Sequence, residues 1–241
     1  MNDFYYLSPL EFEMLVRPQS ESQLVLPTGG VIEQTEESDL IYCLNNLCSR
    51  GALIADTDGS GFDVVDEYKS IIRGMVSAKA IIRTVGISTD WPVYYYLSSE
   101  TAVIIEASAN RMGKLKVRVA KREQFFDCML EQMDLSDEFE DKSAESYYGE
   151  PDATYKMEAE EFIVSKGISE QAEEMLNGEY VLGVVDMFSS TGTEVKRRLA
   201  IYNAETSEKL AVLTDEAAPL FIPLDRQLFK DQIDSFVREY I

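Results

Sequence analysis

Three features of this 241-residue chain point to an α/β (α+β) fold of two quasi-repeated halves, each a mostly antiparallel sheet with flanking helices, closed by a C-terminal helix. An apolar extended segment runs twice into the pattern Arg-x-x-Phe-x-Asp-x-x-apolar. The first copy holds Arg122, Phe125, Asp127 and Met129, the second Arg226, Phe229, Asp231 and Ile233. The offset is constant, 226 − 122 = 104, with no gap inside the pattern. Strand-like residues 94–97 and 199–202 stand upstream of the two copies at about the same distance. From Ala78 to Val119 the pattern changes from helical spacing to β-branched and aromatic runs, as expected of mixed α and β structure.

The elements follow in order. Ser8 reads as an N-cap, with Pro9 at the first helical position and Glu11 completing a capping box; Phe12, Leu15 and Val16 form the apolar face. Residues 24–27 and 31–32 are short apolar pieces around a turn. Residues 35–38 introduce a second helix, in which Leu40, Cys43, Leu44 and Leu47 recur at helical spacing until Gly51 ends it. A third helix is expected over residues 63–75, with Val64, Tyr68, Ile71 and Ile72 on one side. Residues 80–85, 93–97, 102–106 and 114–119 are β-branched and aromatic runs that read as an antiparallel meander. In the last of them Leu115, Val117 and Val119 alternate with Lys116 and Arg118, predicting one buried and one wet face. A helix over residues 123–133 closes this first half, 1–133.

Residues 134–161 are acidic and Ser-rich and lack apolar periodicity. They read either as a solvated connector or as an acidic, aromatic surface that receives a partner. The second half, 162–241, has a helix near residues 169–176, strands near 180–188, 197–202, 210–214 and 220–224, and a closing helix over 226–240. The halves are expected to form one globular unit.

Composition narrows the function. With 44 acidic against 22 basic residues the net charge is −22, which repels phosphate backbones and anionic membrane surfaces and suits a basic protein partner or plain solubility. Nucleic acid is therefore not an expected partner. There is no histidine, which removes the Ser-His-Asp and Cys-His nucleophile systems and the commonest transition-metal ligand. No P-loop or G-x-G-x-x-G pattern occurs, and residues 28–30 and 189–192 read as turns. An enzyme is not expected.

Cys43, Cys48 and Cys128 are odd in number and lie in apolar helical patterns, so they read as reduced core residues. The start lacks a basic region followed by an apolar run, and no stretch reaches about 18 apolar residues. Both observations lead to the expectation of a cytoplasmic protein without membrane insertion.

One segment has a sharp chemical reading. Residues 56–67, Asp-Thr-Asp-Gly-Ser-Gly-Phe-Asp-Val-Val-Asp-Glu, match the calcium-loop template D-x-[DN]-x-[DN]-G-x5-E. Asp56, Asp58 and Ser60 would supply side-chain oxygens, Phe62 its carbonyl, Gly61 the turn and Glu67 a bidentate carboxylate. Asp63 stands where such loops usually carry an apolar residue, and no second loop occurs to pair with this one. The alternative is an Asp/Gly-rich turn leading into the third helix, with Asp63 as its cap.

The opening Leu-Ser-Pro-Leu-Glu-Phe-Glu-Met-Leu at 7–15, the helix ending Leu-Asn-Asn-Leu-Cys-Ser-Arg-Gly-Ala-Leu at 44–53, the Asp58-Gly turn and the Val-Arg-Val-Ala-Lys-Arg-Glu-Gln-Phe-Phe segment at 117–126 resemble the EspG-type chaperones of ESX (type VII) secretion. The resemblance covers mainly residues 7–131. It implies a mixed fold of two quasi-twofold halves and cytosolic binding of a helical secretion substrate that is kept soluble until export. The chain is more acidic than that family, and its segment 134–161 has no counterpart there. No binding residue transfers by position; the surfaces expected to bind are the wet face of the second-half strands and the acidic connector. Two other functions fit the same residues: an immunity protein or antitoxin that neutralises a basic toxin, and a calcium-responsive module built on residues 56–67.

Overall fold

In the computed structural model, Ser8 and Glu11 cap each other at the start of α1 (Pro9–Val16). The Ser8 hydroxyl accepts from the Glu11 N–H, and the Glu11 carboxylate accepts from the Ser8 N–H. The structure describes residues 4–19, 31–56, 61–86, 92–106, 114–133, 135, 181–190, 194–204, 207–214, 217–223 and 225–241. The expected helix near 169–176, the connector 134–161 except for Leu135, and the apolar piece 24–27 lie outside the described residues.

Two units divide the chain: Met1–Ile81 with Val93–Phe125 and Ser190–Thr193, and Ile82–Pro92 with Phe126–Ser189 and Glu194–Ile241. In the first, β1 (Tyr5–Leu7) precedes α1, followed by α2 (Glu37–Ser49), β2 (Leu53–Ala55), β3 (Phe62–Val64) and α3 (Asp66–Val76). The strand β4 (Ala80–Gly86) gives its first two residues to this unit and the rest to the second. Next come β5 (Val93–Leu97), β6 (Thr101–Glu106) and β7 (Leu115–Lys121). The sheet order is β1-β7-β6-β5, antiparallel throughout, with Tyr5 opposite Val117, Val117 opposite Ile105, and Ile105 opposite Tyr94.

Helix α2 ends as its glycine requires. Gly51 takes φ +70 in the left-handed region; its N–H donates to the Cys48 carbonyl and the Ala52 N–H to the Leu47 carbonyl, a Schellman stop. Helix α3 packs across β5, β6 and β7, burying Ile71, Ile72, Gly74 and Met75. At Gly74 the approach is so close that an added Cβ would lie 2.5 Å from Cγ2 of Val103. Glycine is required there for contact rather than for φ.

The second unit holds β8 (Val181–Ser189), β9 (Arg197–Ala204), β10 (Ser207–Thr214) and β11 (Ala217–Pro223) in sequential antiparallel order, with β4 beside β8. Its helices are α4 (Phe125–Gln132), which enters this unit at Phe126, and α5 (Arg226–Tyr240). Asp225 caps α5, its carboxylate accepting from the Gln227 and Leu228 N–H groups at 2.9 Å. Phe229, Ile233, Phe236 and Val237 form the buried stripe, and the Phe126 and Phe229 rings lie 5.8 Å apart.

The α+β class, the two runs of four consecutive strands each closed by a helix, and the C-terminal helix agree with the sequence expectation. Phe125 and Phe229, equivalent in the repeated signature, are both buried. Arg122 opens a short 3-10 turn ahead of α4, and Arg226 opens α5.

Three expectations are corrected. The third helix starts at Asp66, because Asp63 is the middle residue of β3; Val65 is the N-cap and makes no side-chain capping bond. The wet face expected of the second-half strands is absent from β8, whose residues 183–188 are all buried; β5 is likewise buried throughout, as in strands covered on both faces. In β7, Leu115 and Val117 are buried, but Val119 is 36% exposed. Finally, Val31–Gln34 is a 3-10 turn. Among the described residues no helix is long and apolar enough to cross a membrane.

Candidate binding site

The β2–β3 hairpin and the outer side of α3 form the most distinctive surface of the first unit. Leu53 pairs with Val64, Ile54 with Asp63 and Ala55 with Phe62. The Val65 N–H donates to the Ala52 carbonyl, and the Asp56 N–H to the Gly61 carbonyl. With ladder bonds at both ends of this register, Phe62 falls in a non-bonded pair and its own N–H and carbonyl point outward from the hairpin. A short, independently paired hairpin is stable only when packed on something; here Leu53 is buried and α3 follows at once.

Between β3 and α3 lies a cleft of about 230 Å³ lined by Phe62, Asp63, Val64, Lys69, Ile72 and Arg73. Phe62 is 44% exposed, whereas Ile72 is buried. The cleft is below the roughly 300–1,000 Å³ typical of metabolite sites. Its charges are unevenly satisfied. Lys69 pairs with Asp66 at 3.2 Å, while the exposed side chains of Asp63 and Arg73 make no ion pair or hydrogen bond among the described residues; alternation along β3 sets the Asp63 side chain, with Ile54, on the face opposite Phe62 and Val64.

The calcium-loop residues are placed as follows. Asp56 follows β2 at the hairpin's end, Phe62 opens β3, and Glu67 is exposed in the first turn of α3. Asp58 and Ser60 lie outside the described residues. Gly61 is held close to the Asp56 carboxylate: a Cβ there would lie 3.0 Å from Oδ2. Among the described residues no three acidic or cysteine side chains gather to hold a metal ion.

In the same unit, Glu11 is a buried hub. Besides the Ser8 N–H, its carboxylate accepts from Asn46 Nδ2 at 2.6 Å and from Arg50 Nη1 at 3.0 Å. Arg50 Nη2 also donates to the Tyr6 carbonyl at 3.0 Å, occupying an outward acceptor of edge strand β1. Burial, followed by the Glu11 charge, pushes the Cys43 thiol up to about 11. Cys48 and Cys128 are half-buried, and all three thiols are free.

Sequence reasoning missed Lys69 and Arg73. They stand four residues apart on α3, a spacing visible in the sequence, but only the hairpin's return over α3 makes that side a cleft wall. No protein-family model matches the chain, and no curated protein matches it. Fold and site together define an α+β protein with a small cleft between β3 and α3.

Proposed function

We propose that this chain is a non-enzymatic binding protein that holds a helical segment of a protein partner, chaperone-like, in an ESX (type VII)-like secretion system. The observation that carries the binding reading is the β3–α3 cleft, with half-exposed Phe62 over buried Ile72 and a volume of about 230 Å³. An exposed aromatic ring beside a small cleft supports reading this surface as an interaction patch. The helical nature of the partner and the secretion setting rest on the resemblance of residues 7–131 to the EspG-type chaperones. No catalytic step is assigned to any residue, and a cytoplasmic location belongs to this same proposal.

The net charge of −22 favours a second reading, an immunity protein or antitoxin whose basic target is drawn in by electrostatic steering. A photo-crosslinking amino acid at position 62, used in the native cytosol, separates the two. Crosslinks to small helical secretion substrates are the expected result. Crosslinks to one basic toxin establish the second reading instead, and the absence of any protein adduct from this position contradicts a binding role for the cleft.

A further inference from the structure

We infer that one edge of the Arg118 guanidinium is a binding site for a carboxylate, on the sheet face turned away from α3. Alternation places it there. Gly74 of α3 lies against the Val103 side chain, so α3 covers the face of β6 that carries Val103. Arg118 pairs with Ile104, the next residue along β6, and therefore projects from the opposite face. Lys116, two positions earlier on β7, stands on that face too, opposite Tyr6 of β1 and Glu106 of β6. Its ammonium takes both oxygens of the Glu106 carboxylate, at 3.0 and 3.1 Å. Arg118 has no such partner: among the described residues it makes no ion pair, and its Nε and Nη2 are buried without an acceptor. These two nitrogens share one edge of the guanidinium, and their N–H groups run parallel, the fork that a carboxylate fills with its two oxygens. Buried donors without an acceptor cost stability. A side chain kept only for packing would avoid that cost by being apolar, so the orphaned fork points to an acceptor that joins from outside the chain.

The surroundings give access and select the kind of anion. The Phe4 ring lies 5.7 Å from Arg118 Cζ and 4.4 Å from Lys116 Nζ. Phe4 is 37% exposed and stands one residue before β1, so its rotation opens the guanidinium to a ligand without unpairing β1 from β7. With Lys116 neutralised by Glu106, Arg118 supplies a single positive charge to an anion. The chain's net charge of −22 opposes any anion, but at physiological salt the Debye length is about 8 Å, so Arg118 outweighs acids across the molecule. A carboxylate brings one negative charge; a phosphate brings more and meets more repulsion from Glu106 and the acidic surface. This site lies on a different surface from the β3–α3 cleft, and the inference does not rest on the function proposed above.

The test uses the full chain and follows its melting temperature as sodium acetate replaces sodium chloride at constant ionic strength, which holds screening fixed. A rise that saturates at about 2–4 °C is expected. Arg118→Met and Arg118→Lys are both expected to abolish it, the lysine because it keeps the charge but cannot form the fork. A cooperative melt in chloride confirms that each variant folds. Sodium phosphate is expected to give a smaller Arg118-dependent rise than acetate. Glutamate with blocked amino and carboxyl ends separates the sources of the carboxylate: a rise with acetate alone assigns a small free acid, and a rise with both assigns a carboxylate borne on a polypeptide. No acetate-dependent rise, or one that either variant retains, overturns the inference. An Arg118-dependent rise in phosphate equal to or above that in acetate overturns the choice of a carboxylate.

Discussion

Asp186 and Arg198 face each other across β8 and β9 and form an ion pair in which both side chains are almost fully buried, 3% and 4% exposed. Arg83, on β4, adds a second guanidinium to the same carboxylate, its Nε donating at 3.1 Å, and its Cζ lies 5.6 Å from the centre of the Phe188 ring. A chain with twice as many acidic as basic residues thus buries one carboxylate between two arginines. Removing the carboxylate leaves Arg198 charged in the interior, so Asp186→Ala is expected to cost about 3–5 kcal/mol. Urea denaturation measures this, and a loss below about 1 kcal/mol contradicts the buried pairing.

Gly74 is expected to resist even alanine. In a helix, Gly→Ala ordinarily gains up to about 1 kcal/mol. Here the new methyl would meet Cγ2 of Val103 at 2.5 Å, and overpacking of this kind costs about 1–3 kcal/mol. Gly74→Ala therefore lowers stability, and combining it with Val103→Ala costs less than the sum of the two single changes. Additive losses would show that α3 does not press on β6 at this point.

Cys43 carries a pH signature. Its thiol is held protonated up to about pH 11 by burial and by the nearby Glu11 charge, whereas the unfolded chain releases that proton near the ordinary value of 9.0. The folded pKa is the higher one, so this contribution to stability is complete below pH 9 and is lost as pH rises from 9 toward 11. Comparing stability across that window in the native chain and in Cys43→Ala isolates it. At pH 8 a thiol reagent is expected to modify Cys48 and Cys128 well before Cys43; equal rates contradict the burial.

Arg118 offers a stabilising change. Its Nε and Nη2 are buried without a hydrogen-bond partner among the described residues, and its guanidinium lies 5.7 Å from the centre of the Phe4 ring. Unsatisfied donors of this kind cost about 1–3 kcal/mol, so Arg118→Met is expected to raise the melting temperature. A fall would show that the contact with Phe4 outweighs the missing hydrogen bonds.

Calcium tests the remaining sequence reading. Asp56 follows β2 and Glu67 is exposed at the start of α3, so a calcium loop over residues 56–67 predicts a melting temperature that rises in millimolar calcium. A rise that Asp56→Ala or Glu67→Gln abolishes would transfer the function to residues 56–67.

Much of the fold was legible because local signals agreed with one another. Ser8, Pro9 and Glu11 announce α1, Gly51 marks the end of α2, and the closing helix begins and ends where its pattern does, at Arg226 and Tyr240. The helix start at residue 63 was misread because Val64 sits at helical spacing from Tyr68 and Ile71, yet it belongs equally to the alternation of β3. Three residues cannot distinguish the two periods; pairing with Leu53 decides. Burial of both faces of β5 and β8 depends on what covers them, which no single strand encodes. The cleft was invisible for the same reason: Phe62 and Ile72 are ten positions apart in sequence, and only the hairpin's return to α3 makes them line one cleft.

The measurement that bears most directly on the binding account is the affinity of the crosslinked partner, once purified, for the native chain and for Phe62→Asp. Phe62 is nearly half exposed, so the substitution leaves the fold intact while placing a charge on the cleft floor. The account predicts a loss of at least about tenfold, as for a residue central to an interface, with an unchanged melting temperature. Equal affinities would show that the partner binds elsewhere and that the β3–α3 cleft is not its site.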